Sequence, residues 1–263
     1  MERLWRSTFL ILFQMTNKKL NIHIPTIGVH YWTLMILATT IGEIVGNLIS
    51  RNLGLGYSTG SILLISTYVF SIIAIALSGK ENPAVYWLLI VLGNIAGTNC
   101  ADFITIEPLK LGTIWGSVLV MGILTLILIV WKYISPKSTV ESGLNNKTFF
   151  LYWFAILVSS TFGTTSGDLL SNDTPLGAGG GTILLLVILT IFALLNKYTK
   201  VSKEILYWFA LVVMHPIGAT IGNYISKPAG LNFGNIWTSV VLVLVFLLIF
   251  ITDKRTTERK GSR

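Results

Sequence analysis

The chain has 263 residues, a mean hydropathy of +0.74 and only 11% charged residues, where a soluble domain carries about 25%. Too little polar surface is encoded to cover a water-facing globule, and lipid contact accounts for the deficit. The net charge of +8 and pI near 9.6 would suit a nucleic-acid partner, but the basic residues sit between apolar blocks, which reads as membrane anchoring and no nucleic acid. The single cysteine, Cys100, excludes an intrachain disulfide and any zinc-type Cys/His spacing.

In chain order, residues 1–25 form a basic arm with a short apolar core from Phe9 to Phe13. The core is too short to span and no cleavage site follows it, so an interfacial helix or disordered arm is expected rather than a signal peptide. Eight apolar blocks follow, at about 31–50, 58–79, 85–105, 113–134, 150–170, 180–196, 206–226 and 234–252. Each is near the roughly 20 residues that cross a bilayer. The expectation is an all-α polytopic membrane protein of about eight transmembrane helices. Linkers after even-numbered blocks are polar, and those after odd-numbered blocks are glycine-rich turns: RNLGLGY, IEPLKLG, SNDTPLGAGG and SKPAGLNFG.

With eight spans, the termini and the even linkers share a side. They hold Arg3, Arg6, Lys18, Lys19, Lys80, Lys132, Lys137, Lys147, Lys197, Lys200, Lys203, Lys254, Arg255, Arg259, Lys260 and Arg263, 16 in all, against Arg51, Lys110 and Lys227, 3 in all, on the other. This bias places both termini in the cytoplasm.

Internal repetition is the strongest signal. Tyr-Trp occurs at 31–32, 86–87, 152–153 and 207–208. Eleven residues after each tyrosine comes Gly42, Gly97, Gly163 or Gly218; four later Gly46, Ala101, Gly167 or Gly222; then Asn47, Asp102, Asp168 or Asn223. The tyrosines are 55, 66 and 55 residues apart. This spacing reads as a two-helix unit duplicated, then duplicated again, giving four parallel units with pseudo-symmetry about the membrane normal. The units run 26–80, 81–135, 150–200 and 201–252, with a linker at 136–149 and a basic tail at 253–263. The small residues at i,i+4 let helix backbones approach, so the odd helices should form an inner ring and the even ones a lipid-facing shell. Tyr-Trp suits an aromatic belt.

Glu43, Asp102 and Asp168 are the only acids within the apolar blocks. An ionisable group in a span is costly and usually faces a bundle interior or an aqueous cavity. Asn47 and Asn223 take the aspartate-like position in units one and four, and Thr98 and Thr164 the Glu43-like position in units two and three. Together with His215, which precedes Pro216 inside span seven, these are the candidate residues for a solute path; Asp102 and Asp168, near the outer interface, have the alternative of capping helices or meeting water, Asn47 and Asn223 that of a structural bond between helices, and His215 that of a packed core residue. Proline there bends or breaks the helix, and a broken helix can offer carbonyls to a solute. Glu107, Lys110, Asp173 and Lys227 read as solvated outer-face charges. The glycine-rich linkers match no nucleotide-binding pattern and read as tight turns. No catalytic set and no haem or flavin signature is present, so no cofactor is expected; a metal and the oligomeric state, including a homo-oligomer, stay open.

The four aligned cores, YWTLMILATTIGEIVGN with LGLGY, YWLLIVLGNIAGTNCAD, YWFAILVSSTFGTTSGD and YWFALVVMHPIGATIGN, resemble a bacterial family of uncharacterised membrane-anchored proteins with four copies of a repeat of unknown function. The resemblance covers roughly residues 25–253. It implies a multi-pass protein of the bacterial inner membrane and supplies no reaction. Family members favour Asp at the ends of these cores, and Asn47 and Asn223 depart from that, so a four-carboxylate site is not expected here.

Three functions remain: a transporter of a small solute or cation, with the bilayer and that solute as partners; a non-transporting scaffold or sensor subunit; and a membrane enzyme acting on a lipid or polyprenyl substrate, with Asp102, Asp168 and Asp173 as its candidates. The acids favour cationic cargo or proton coupling.

Overall fold

The computed structural model describes residues 21–22, 24–79, 82–135, 140–198 and 201–261. Residues 1–20 of the N-terminal arm expected over 1–25 therefore lie outside the described residues. Among the described residues eight helices are each long and apolar enough to cross a membrane, and the protein is a multi-pass membrane protein.

The inner helices are α1 (Val29–Asn47), α3 (Pro83–Thr105), α5 (Asn146–Asn172) and α7 (Lys203–Ser226); the outer ones are α2 (Tyr57–Ser78), α4 (Gly112–Ile134), α6 (Gly177–Tyr198) and α8 (Asn235–Gly261). Composition separates the sets. Inner spans have mean hydropathies of 1.2 to 1.6 and are 67 to 72% buried; outer spans reach 2.2 to 2.5 and are 11 to 33% buried. A helix apolar all round belongs in lipid, and one carrying small and polar residues needs protein neighbours.

The inner helices close a ring in the order α1, α3, α5, α7 and back to α1. Each outer helix packs chiefly on the inner helix of the next unit: α2 on α3, α4 on α5, α6 on α7, and α8 back on α1. The unit of repetition is thus not the unit of packing.

The glycines account for the tightness of the ring. A methyl group added at Gly42 would strike Asn94, at Gly97 Ser160, at Gly163 His215 and at Gly218 Thr39. These partners all stand eight residues after a repeat tyrosine, so each unit's glycine fits against the same position of the next unit. One turn on, a methyl at Gly46 would lie 2.8 Å from Thr98, at Gly167 2.6 Å from Ala219, and at Gly222 2.9 Å from Glu43. Small residues four apart therefore bring backbones together around a closed circle.

Local signals set the ends. Asn82 caps α3 ahead of Pro83, and Asn145 forms a reciprocal cap with Thr148 that starts α5 four residues before its apolar run. The GAGGG stretch, expected as part of a turn, begins α6 instead. Gly179 there faces Tyr224 and Gly181 faces Leu170 closely enough to leave little room for side chains. A two-residue strand pair, Asn21–Ile22 with Leu144–Asn145, ties the segment before α1 to the connection before α5. Pro216 lies within α7 without ending it, so the break expected at His215–Pro216 is not seen. The freed turn is buried among neighbouring inner helices, where such a proline is tolerated.

Candidate functional site

Equivalent residues of the four inner helices form layers, because positions four apart share a helix face. The first layer is the tyrosines. Their hydroxyl oxygens form a closed four-membered circuit: Tyr31–Tyr86 2.7 Å, Tyr86–Tyr152 2.7 Å, Tyr152–Tyr207 2.9 Å and Tyr207–Tyr31 2.9 Å. Every hydroxyl touches two others, so each can donate once and accept once. The tryptophans surround the circuit in the same cyclic sense. Tyr31 packs on Trp87, Tyr86 on Trp153, Tyr152 on Trp208 and Tyr207 on Trp32, with ring centroids 5.3 to 6.0 Å apart. The expected aromatic belt is therefore a buried collar, with only Trp32 partly exposed. The exposed aromatics on the outer surface are others, such as Trp115 and Trp237.

The second layer, one turn on, is apolar and fully buried: Met35, Ile90, Ile156 and Leu211. Tyrosine circuit and apolar layer together seal this end of the ring. In the third layer, Thr39, Asn94, Ser160 and His215 sit against the inner glycines. His215 is buried, its Nδ1 lying 2.7 Å from the Leu211 carbonyl and 3.1 Å from Ser159 Oγ, with Nε2 unpartnered. It makes no hydrogen bond to the carboxylates, so its inclusion among residues grouped with them is not supported by contact.

The fourth layer holds Glu43, Thr98, Thr164 and Ala219. Thr164 donates to Glu43 Oε2 at 3.0 Å; Thr98 Oγ1 lies 3.1 Å from Thr164 Oγ1 and 3.5 Å from Glu43 Oε2. Asn47 Nδ2 donates to Glu43 Oε1 at 2.8 Å. The fifth layer holds Asn47, Asp102, Asp168 and Asn223, all buried. Arg51 donates to Asp102 Oδ1 at 3.0 Å from the wide π-helical turn that ends α1 at Leu48–Asn52. Asn223 donates to Asp168 Oδ1 at 2.7 Å, and Lys227 lies 3.4 Å from the same oxygen. Lys227 is therefore not the free outer charge expected from the sequence; its ammonium turns inward because Asp168 is a buried carboxylate in reach.

Seven of the eight predicted path residues thus fall into two adjacent layers, with Glu43, Asn47, Thr98 and Thr164 in one bonded group, Asp168 and Asn223 in another and Asp102 bonded to Arg51; His215 is the exception. Arg51 and Lys227 were missed. They follow Asn47 and Asn223 by four residues, in the two units that lack an aspartate; each base faces the aspartate of a neighbouring unit, joined there by the amide in unit four, while the unit-one amide turns to Glu43. That pattern was present in the sequence.

Near the tyrosine end a separate cavity of about 440 Å3 opens among α6, α7 and the segment before α1, lined by Ile27, Trp32, Phe192, Lys203, Glu204 and Met214 among others. Glu204 there accepts from the Trp131 and Trp208 indoles at 2.8 and 2.9 Å and from the Val140 N–H at 2.8 Å. Among the described residues, no three His, Cys, Asp or Glu side chains converge as metal ligands. Asp173, a candidate of the enzyme reading, is not part of the buried layers: its carboxylate accepts an exposed bond from Thr113 at 2.5 Å.

Fold and site define a multi-pass helical membrane protein with an inner ring sealed at one end and charged towards the other. Comparison with known families matches residues 30–81 and 151–202 to a repeat of unknown function, DUF347. The two matches begin one residue before Tyr31 and Tyr152 and cover units one and three. No curated protein and no solved structure matches the chain.

Proposed function

We propose that the protein is a transporter of a small cation or cationic solute, and that all four units are copies of the one repeat, with both termini cytoplasmic in a bacterial inner membrane. The observation that carries the reading is the unequal treatment of the two ends of the inner ring. One end is closed by the tyrosine circuit and the Met35, Ile90, Ile156 and Leu211 layer. The other buries three carboxylates, Glu43, Asp102 and Asp168, with two bases, Arg51 and Lys227, one turn beyond. Burying carboxylates costs several kcal/mol each unless a cation compensates, and a spare buried carboxylate is a place where a cation lowers that cost. Repeats arranged about an axis along the membrane normal are a frame on which two halves can rock. In this reading the protein performs no covalent chemistry.

A second reading, a static scaffold, is favoured by the pairing of Asp102 with Arg51 and of Asp168 with Lys227. Flux through proteoliposomes separates them. Purified protein, reconstituted and exposed to gradients of alkali cations and small organic ammonium ions, should carry at least one of them, and Glu43→Gln should cut the flux at least about tenfold, a change of about 1.4 kcal/mol or more in the barrier. Absence of flux for the whole panel from folded protein would sink cation transport and leave the scaffold.

A further inference from the structure

In the fifth layer three oxygen atoms are buried without any hydrogen-bond partner: Asn47 Oδ1, Asp102 Oδ2 and Asn223 Oδ1. Their residues are 4, 1 and 2% exposed and come from three inner helices at the same repeat position. Turning the amides over does not relieve them. Asn47 Nδ2 is held by Glu43 Oε1 and Asn223 Nδ2 by Asp168 Oδ1, and exchange would set an oxygen lone pair against a carboxylate. Asp102 Oδ1 is likewise occupied by Arg51, which leaves Oδ2 as the free atom. All three orphans are obligate acceptors, and a buried acceptor without a donor costs about 1–3 kcal/mol.

The charges around them do not balance. Three carboxylates face two bases, and Glu43 is the carboxylate with no base in contact; its partners are an amide and hydroxyls. When all three carboxylates are ionised one negative charge is unmatched, and a single cation that accepts oxygen donors would match it.

We propose that this layer binds one monovalent alkali cation, held by Asn47 Oδ1, Asp102 Oδ2 and Asn223 Oδ1 in place of part of its hydration shell and neutralised by the Glu43 charge one turn below. Carbonyl and carboxylate oxygens are the donors that replace water around such ions. The proposal rests on the transporter reading for its biological sense but concerns binding alone.

The test is thermal unfolding of the purified full chain at fixed pH and ionic strength, with Li+, Na+, K+ or Rb+ chloride replacing N-methylglucamine chloride. The expected result is saturable stabilisation selective among the four ions. Asp102→Asn keeps an oxygen for Arg51 but turns the free oxygen into an N–H donor facing the ion, and should weaken the apparent affinity at least tenfold. Asn47→Leu, which deletes another orphan, gives a second measure should Asp102→Asn fail to fold by circular dichroism. Asp173→Asn, outside the layer, should behave as the parent. Stabilisation that never saturates, is equal for all four ions, or is unchanged in Asp102→Asn and Asn47→Leu overturns the site; so does a second series in N-methylglucamine chloride in which lowering the pH gives the full stabilisation and the alkali ions add nothing, which would mean that a proton fills the place. Selective binding without flux in proteoliposomes would refute transport and leave the site standing; flux of an organic cation with no alkali-ion stabilisation would do the reverse.

Discussion

Glu43 on α1 crosses the ring to Thr164 on α5, the helix standing opposite, 121 residues along the chain, with Oε2 3.0 Å from Oγ1. A side chain that bridges opposite members of a closed four-helix ring occupies its axis. Glu43 is also where a methyl at Gly222 would land, so the carboxylate is fixed by α7 as well. Thr164→Val, nearly isosteric, removes the donated bond and leaves a buried carboxylate oxygen short of a donor. The expected loss is about 1–3 kcal/mol in detergent unfolding, and Thr164→Ser should recover most of it. Equal stability of the Val and Ser variants would show that the contact contributes nothing.

The glycine circle predicts opposite signs for one substitution. Gly163→Ala forces a methyl into His215, including its backbone, and should destabilise by about 1–3 kcal/mol or more through overpacking. Gly122→Ala, in α4 with nothing within 4 Å, should stabilise by about 0.4–1 kcal/mol from helix propensity and unfolded-state entropy. Unfolding midpoints that move the same way for both would refute the close approach.

The tyrosine circuit predicts that single hydroxyl deletions act alike wherever they fall. Tyr86→Phe deprives Tyr31 and Tyr152 of a partner each, and Tyr207→Phe does the same from the other side. Each should cost about 1–3 kcal/mol. The double variant removes all four bonds and leaves the Tyr31 and Tyr152 hydroxyls with no partner in the circuit, so it should cost at least the sum. A double variant that costs no more than either single one would contradict a closed circuit.

Asp102 and Arg51 supply a further cycle. Arg51→Leu strands a carboxylate that is 1% exposed beside an arginine that is 35% exposed. The expected cost is about 3 kcal/mol, the low end for a broken buried pair because water reaches the arginine. Adding Asp102→Leu should recover much of it. No recovery in the double variant would indicate that the residues are independent.

Glu204 gathers two indole N–H groups and a backbone N–H. Glu204→Ala should free the Trp131 and Trp208 indoles and shift tryptophan emission, with a loss of about 2–4 kcal/mol expected for stranding several donors. An unchanged spectrum would count against that hub.

Much of the architecture was legible in the sequence. Length and hydropathy marked the eight spans, and glycine at fixed offsets marked the inner helices, because only small residues permit their backbones to touch. The level of Asn47, Asp102, Asp168 and Asn223 followed from helical rise. The pairing of each outer helix with the next unit did not follow: an apolar face states that it must be covered, never by which neighbour. The collar was misread as an interfacial belt because Tyr-Trp looks the same in both settings, and only closure of the ring brings four hydroxyls within reach. Lys227 was misread for a related reason, since a base near a span end faces water unless a buried carboxylate on another helix stands within reach.

The offset packing of the outer helices has a consequence for biosynthesis. A chain made from its N-terminus exposes α1 first, yet the helix that covers α1 is α8, made last. Each of the other inner helices finds its cover already in the bilayer when it arrives, whereas α1 waits for the whole remainder. Insertion therefore cannot finish unit by unit; the final span acts as a clasp, and a nascent chain halted before Asn235 would leave the first inner helix facing lipid along a surface shaped for protein.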